Sequence, residues 1–201
     1  MKTWAAVAAG SLARILASVA AVGLVGAAGC SSAGSSASAP AAAPAPSAGL
    51  GQAYHSPDGY RISPPADWVL HPTDGRGGLS VRFAAPTADK AAPEPFADNL
   101  NVVITPTTRS LDNLVAETKQ QYPSVLTNYK VVTDQSGVIG GQPAHLLGGT
   151  YDDPRSGSLE NIQMLILSAG KQYTVTFTAP AASFDSLHAA MLASLASFAV
   201  G

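Results

Sequence analysis

The sequence is poor in cysteine, in charged residues and in aromatic residues. Its 201 residues include one cysteine, 12% charged residues and 6% aromatic residues. A single cysteine excludes both an internal disulfide framework and a zinc cluster built on cysteine ligands. The 11 basic and 13 acidic residues give a net charge of −2. This charge is too small to predict a nucleic-acid partner or electrostatic binding to a membrane surface.

Motifs for catalysis and for metal binding are also lacking. The four histidines are His55, His71, His145 and His188. They are far apart in the sequence, and none belongs to a His-Glu-x-x-His pair. Residues 51–201 contain neither a Gly-x-Ser-x-Gly elbow nor a phosphate-binding loop. We therefore predict no cofactor, no metal site and no catalytic residue.

Three carboxylates around one hairpin offer a weak calcium site as an alternative. They are Asp152, Asp153 and Glu160. Calcium prefers oxygen ligands of this kind. Acidic residues beside proline and glycine are nevertheless more often solvated turn formers, which is the interpretation we favour.

The first 29 residues have the layout of a secretory signal peptide. Positive charge at Lys2 and Arg14 precedes an apolar run over 15–25, and small residues follow at 26–29. A membrane span needs about 20 apolar residues, so this run is short for one. We predict that residues 1–29 are a signal peptide, with a retained anchor as an alternative.

The only cysteine follows the small residues directly. Ala28-Gly29-Cys30 resembles the lipobox of bacterial lipoproteins, although Ala27 stands where leucine is usual. The resemblance implies cleavage between Gly29 and Cys30 and a lipid on the Cys30 thiol. The protein would then be exported and anchored to the outer face of the cell membrane. Ordinary secretion with an unmodified Cys30 remains an alternative.

The segment after this cysteine is low in complexity. Residues 31–50 consist of Ala, Ser, Pro and Gly apart from Leu50. Such a segment buries too little apolar surface to offset its ordering entropy. We predict a lipidated cysteine with a disordered tether over 30–50, and one folded domain over 51–201.

Hydrophobic periodicity in the domain predicts strands and two helices. Strands are expected over 60–62, 68–70, 79–85, 100–106, 129–133, 138–139, 144–151, 159–167 and 172–178. Ser110 caps a first helix that Pro123 ends, and Ser183 caps a second helix. The last three strands are joined by short turns, which indicates an antiparallel meander. The fold class is therefore α+β, with a mainly antiparallel sheet flanked by helices.

Turn residues and packing residues occur in a definite order along the domain. They are Tyr54, Asp58-Gly59-Tyr60-Arg61-Ile62, Pro65, Trp68, Asn101-Val102-Val103, Gly141-Gln142-Pro143-Ala144, Gln163, Tyr173-Thr174-Val175-Thr176-Phe177, Phe184 and Ser197-Phe198. This order resembles the PsbP-like superfamily, and within it the LpqN-type family of actinobacterial lipoproteins. The resemblance implies an α/β/α sandwich and an accessory or binding protein without enzymatic activity.

Three functional hypotheses follow, and the leading one is a non-catalytic accessory lipoprotein that binds a protein or an envelope component. The second is a carrier of a lipid or another apolar molecule between the sheet and a helix, in a cavity lined by Val175, Phe177, Leu187 and Met191. The aromatic residues that we weigh as pocket lining or as core are Tyr60, Trp68, Phe83, Tyr173 and Phe177. The third is an envelope hydrolase, which needs His, Asp and Ser or Thr to converge in one cleft.

Overall fold

The computed structural model describes residues 49–89 and 94–201. Ten strands, one 3-10 turn and two helices follow one another: β1 Tyr54–Ser56, β2 Tyr60–Ile62, β3 Val69–His71, the turn Arg76–Gly78, β4 Leu79–Ala84, β5 Asn99–Pro106, α1 Leu111–Val125, β6 Thr127–Ile139, β7 Gln142–Asp153, β8 Gly157–Ser168, β9 Lys171–Pro180, α2 Phe184–Ser197 and β10 Ala199–Val200. Neither helix of this described part is long and apolar enough to cross a membrane.

Seven strands form one antiparallel sheet in the order β3-β4-β5-β9-β8-β7-β6. The strands β6 to β9 pair in sequence order, which confirms the predicted meander. The strand β5 pairs with β9 along its whole length, from Asn99 opposite Thr178 to Pro106 opposite Lys171. A small second sheet, in the order β1-β2-β10, joins the two ends of the described fold. The predicted α+β class is confirmed.

The two helices pack on opposite faces of the large sheet. Phe177, Val175 and Tyr173 of β9 point to the face where α2 contributes Phe184 and Met191 to the main core. On the other face, α1 packs against β6, β7 and β8, and Tyr122 forms a smaller core with Leu147. Alternation along each strand sends successive side chains to these two faces, which we name the α2 face and the α1 face.

The helix α1 begins as predicted but ends two residues later. The Ser110 hydroxyl accepts a hydrogen bond from the backbone N–H of Asn113 at 3.3 Å, so the predicted cap is confirmed. The prediction that Pro123 ends the helix is wrong, because the helix continues to Val125. Proline lacks one backbone donor, and in the last turn this removes a single helical hydrogen bond.

The prediction of two separate strands over 129–133 and 138–139 is also wrong. A single strand, β6, runs through the predicted interruption, and Ser136 pairs with His145. The irregularities lie earlier, where the register shifts between Thr127 and Lys130 and again between Val131 and Thr133. This polar stretch forms part of a strand because its pairing with β7 outweighs the low intrinsic strand preference of its residues.

The second predicted helix cap is confirmed in position but not in mechanism. Ser183 is the residue before α2, yet its hydroxyl makes no capping hydrogen bond to the helix. The hydroxyl instead donates to the Pro180 carbonyl at 3.2 Å and contacts the Asp89 carboxylate. The Ser183 hydroxyl therefore links the start of α2 to the end of β9 at Pro180 and to Asp89.

Candidate functional site

The predicted lipid-attachment and cleavage residues, Cys30 and Gly29, lie outside the residues that the structure describes. The signal peptide and most of the tether lie outside them as well. The domain prediction for residues 1–50 therefore remains a prediction from the sequence.

The cavity required for an apolar carrier does not lie where the sequence placed it. Val175 and Phe177 are 0% exposed and Met191 is 1% exposed, and all three belong to the main core. The Trp68 ring packs on Phe177, with the ring centroids 5.7 Å apart. The two surface concavities described below do not touch these residues. Leu187, the fourth residue of the predicted cavity, is partly buried and packs against the same core.

Two concavities instead flank β3, the short strand at one edge of the large sheet. All three residues of β3 are exposed, and Val69 and Leu70 keep 48% and 49% of their surface accessible. The register places Leu70 opposite Phe83, on the α2 face, and it places Val69 opposite Ala84, on the α1 face. One concavity lies on each face, and His71 lines both of them. We call β3 and its two concavities the β3 edge.

The concavity on the α2 face measures about 370 Å³ and has hydroxyl groups beside apolar ones. The apolar and hydroxyl groups that line it are those of Leu70, Val81, Tyr54, Thr73 and Ser80. The Ser80 hydroxyl donates to Asp58 at 2.5 Å and lies 2.9 Å from the Tyr60 hydroxyl. Burial raises the pKa of Tyr60 to about 12, so this phenol stays protonated and the cluster holds a fixed hydrogen-bond pattern.

The concavity on the α1 face measures about 360 Å³ and is mainly apolar. Small residues line most of it, among them Ala84, Ala85, Pro86 and Ala97. Arg82 is the charged residue of the lining, and no carboxylate takes part in it. This face of the edge therefore has one positively charged side chain next to an apolar surface.

A ladder of uncharged polar side chains continues from this concavity across the α1 face. The ladder contains Asn99, Asn101, Asn161, Gln163, Thr176 and Thr178, all of them buried. The cross-strand order runs from Arg82 through Asn101 and Thr176 to Gln163, whose amide oxygen accepts from the Tyr122 hydroxyl of α1. The side-chain amide atoms of Asn161 and the hydroxyl of Thr176 have no hydrogen-bond partner among the residues that the structure describes. Buried polar groups of this kind are usually satisfied by ordered water.

Asp98 precedes this ladder and is 8% exposed. Burial, together with the nearby charge of Asp89, raises the pKa of Asp98 to about 6. Within the described part of the chain, one of its carboxylate oxygens has no hydrogen-bond partner. A buried carboxyl of raised pKa disfavours the folded state when it ionises, so its cost to stability is present near neutral pH.

We expect Asp98→Asn to raise the free energy of unfolding by about 1–2 kcal/mol at pH 7.5, since two pKa units correspond to about 2.7 kcal/mol at most. The carboxyl is neutral in both states well below pH 4, and above pH 6 it is ionised in both states, so the folded state then has the full cost of the buried charge. The difference between variant and wild type should therefore appear between pH 4 and 6. Urea unfolding at several pH values measures it. Asp74→Asn, at a side chain that is 61% exposed, is the control and should keep the wild-type pH dependence.

A serine, a histidine and an aspartate do meet, on β6 and β7. The Ser136 hydroxyl lies 3.1 Å from Nδ1 of His145, and Nε2 of that ring lies 2.9 Å from Asp134. The hydrogen bond from Lys119 holds the pKa of Asp134 below its ordinary value, with His145 contributing in the same direction. A hydrolase also needs a substrate cleft and donors for an oxyanion, and none of these four residues lines either concavity. We interpret the cluster as a link between α1 and the β6–β7 hairpin.

The carboxylates considered for calcium serve other contacts. Asp153 accepts from the backbone N–H groups of Arg155 and Ser156, at 3.0 and 2.7 Å, which is the turn-forming role favoured above. Asp152 accepts from the Asn128 amide at 2.7 Å. Within 49–89 and 94–201, no three His, Cys, Asp or Glu residues are grouped closely enough to hold a metal ion.

The sequence interpretation missed the β3 edge and most of the polar ladder. Thr174, Thr176 and Thr178 alternate with apolar residues, which indicates one polar face of β9. Asn101 and Gln163 are among the residues that resemble the PsbP-like pattern. The remaining signal was the polar residue at every second position of 99–101 and 161–163, which marks a polar sheet face. The sequence around Arg82 does not indicate a binding site, because the position of this residue beside the β3 edge depends on the order of the strands in the sheet.

Three solved structures with a similar fold are distant in sequence from this chain. The cyanobacterial PsbP protein CyanoP from Synechocystis sp. PCC 6803 has a TM-score of 0.58 and 17% identity, over 82% of this chain and 98% of that chain. LpqN of Mycobacterium tuberculosis, which is involved in cell envelope biogenesis, has a TM-score of 0.52 and 16% identity, over 74% and 89%. The protein PA94 of Pseudomonas aeruginosa has a TM-score of 0.51 and 14% identity, over 73% and 94%. These similarities confirm the PsbP-like fold.

The family model described as DcrB matches residues 88–197, which is more than half of the chain. A comparison with curated protein sequences gives no significant match. The matched range contains β5 to β9, both helices and the whole polar ladder, whereas β3 and Arg82 precede it.

Proposed function

Because the chain belongs to the DcrB family, we propose that it is a non-catalytic binding protein of the cell envelope. We further propose that a lipid on Cys30 holds it at the outer face of the membrane. Residues 1–29 act as the signal peptide, and residues 30–50 lift the folded part away from the lipid surface. The partner is a protein or another envelope component.

The observation that carries this proposal is the position of the only cysteine. Cys30 follows an apolar run and small residues, where a lipobox cysteine stands, and a tether of small residues separates it from the fold. An exported protein with one free thiol otherwise needs a separate explanation. The role of LpqN in cell envelope biogenesis supports an envelope location for a protein of similar fold.

Two features of the described residues support binding without catalysis. None of Ser136, His145 and Asp134 lines either of the two concavities. The β3 edge, in contrast, presents exposed apolar side chains beside two concavities. An exposed apolar surface of this kind is typical of an interaction site.

The test is metabolic labelling with an alkyne analogue of palmitate, followed by membrane fractionation. We expect the full chain to take the label and to sediment with membranes, and Cys30→Ser to lose the label and to leave the membrane fraction. Ser31→Ala is the matched control, because it changes the next residue but keeps the thiol. Label on the Cys30→Ser variant, or an unlabelled wild type, would refute lipid attachment at this residue.

A further inference from the structure

We propose that the β3 edge binds an extended, acidic polypeptide segment of a partner protein, which adds to the large sheet as a strand beside β3. This inference rests on the proposed binding function and names the kind of partner. The strand β3 ends the sheet on one side, and its three residues are exposed.

The backbone of β3 has hydrogen-bonding groups available on its outer side. In an antiparallel ladder, the N–H and C=O groups of successive residues point alternately to the two sides of the strand. Among the strands of the described residues, β3 pairs only with β4, through Val69, Leu70 and His71. Either Leu70, or both Val69 and His71, therefore direct their peptide groups outward. An added strand is the partner that satisfies such groups in the plane of a sheet.

The positions of the two concavities indicate an extended occupant. The successive side chains of a strand point to opposite faces of its sheet. The β3 edge offers one concavity on each face, with Leu70 at one of them and Val69 at the other. A bound helix or an acyl chain would occupy only one face, whereas a strand places alternate side chains in both.

Charge and polarity then define the side chains of the occupant. On the α1 face, Arg82 has no carboxylate beside it in the lining, so an acidic side chain complements this concavity. On the α2 face, the hydroxyls of Ser80 and Thr73 lie near Leu70 and Val81, and a valine or threonine side chain matches this mixture. The preferred segment therefore alternates acidic residues with β-branched ones.

The other edge of the sheet, β6, is longer but fits such a segment less well. Its register shifts twice before Thr133, and bulges of this kind twist an edge strand away from pairing. Neither concavity reaches it. Lys130 is an exposed cation of β6, so it provides a charge-matched control for Arg82.

The probe is a fluorescent peptide of three Glu-Val repeats with blocked ends, titrated into the full-length protein in detergent. We expect saturable binding, seen by anisotropy, with a dissociation constant of about 10–100 μM because β3 is short. Arg82→Glu should weaken binding about tenfold or more, and Lys130→Glu should leave it unchanged. Hydrogen exchange should slow at residues 69–71 on binding, without a change in β6.

Three results would overturn the inference. If a backbone N-methylated peptide bound as tightly as the unmodified one, strand addition would be excluded, because N-methylation keeps the side chains but removes the backbone N–H donors. Equal weakening by Arg82→Glu and Lys130→Glu would mean unspecific charge attraction. A dimer that Arg82→Glu dissociates would make a second copy the occupant. None of these results changes palmitate labelling at Cys30, so the inference can fail while the proposed function stands.

Discussion

Gly149→Ala should lower the free energy of unfolding by about 3 kcal/mol, because the strand β7 has no room for a side chain at this position. A methyl group built on Gly149 would overlap the carbonyl oxygen of Lys130 and would lie 2.8 Å from Cε2 of Tyr129. The obstructing atom belongs to the backbone, so a change of rotamer does not relieve the overlap. The strand β6 would have to move away from β7 along their shared ladder.

Thermal unfolding measures this effect, with an expected decrease in Tm of about 6–12 °C for a chain of this size. Gly137→Ala is the matched control, because Gly137 also lies in this pair of strands but a methyl group there meets nothing within 4 Å. The control should change the free energy of unfolding by less than about 0.5 kcal/mol. A Gly149→Ala variant as stable as this control would show that β6 passes β7 at a greater distance.

The same position shows what the sequence did not reveal about the fold. Two glycines in an apolar strand, Gly148 and Gly149, indicate a close backbone approach or a bulge, but they do not say on which strand the bulge lies. The structure places the register shifts on β6, beside Tyr129 and Lys130. The interruption predicted at 135–137 came from local polarity, whereas pairing with β7 decides the outcome there.

Periodicity predicted the parts of the fold that local chemistry determines. Leu114, Val115 and Tyr122 of α1 lie at the spacing of one helix face, and all three are buried. The meander followed from short turns. The end of α1 and the role of the Ser183 hydroxyl were not predictable in this way, because both depend on contacts that the chain forms only after it has folded.

The β3 edge could not be predicted because it depends on strand order. The segment around Val69 and Leu70 looks like an ordinary apolar strand, and such strands are usually buried. It is exposed because, within the residues that the structure describes, β3 pairs on one side only and neither helix packs on it. The pattern around Arg82 likewise predicts a strand with one charged residue, and only the register shows that this charge stands in a concavity without an acidic partner.

Phe177→Ala should have the largest effect on stability, a loss of about 3–5 kcal/mol. Phe177 is 0% exposed and lies at the centre of the sheet, opposite Leu100 on β5 and Ile162 on β8. The Trp68 ring packs against it. Removing the ring deletes apolar contacts and leaves a cavity that the close-packed neighbours fill only in part. Val138→Ala, at a side chain that is 68% exposed, should cost less than about 0.5 kcal/mol.

The same variant distinguishes a filled core from a carrier cavity. An apolar cavity created in a core stays dry and accepts benzene, so benzene should raise the Tm of Phe177→Ala. The wild type should show no such increase with benzene or with a fatty acid, because its side chains already occupy the space between β9 and α2. A ligand-dependent increase in the wild-type Tm that Phe177→Ala abolishes would contradict this and would establish a carrier. The expected pattern, stabilisation of the variant alone, leaves the surface of the fold as the place where a partner binds.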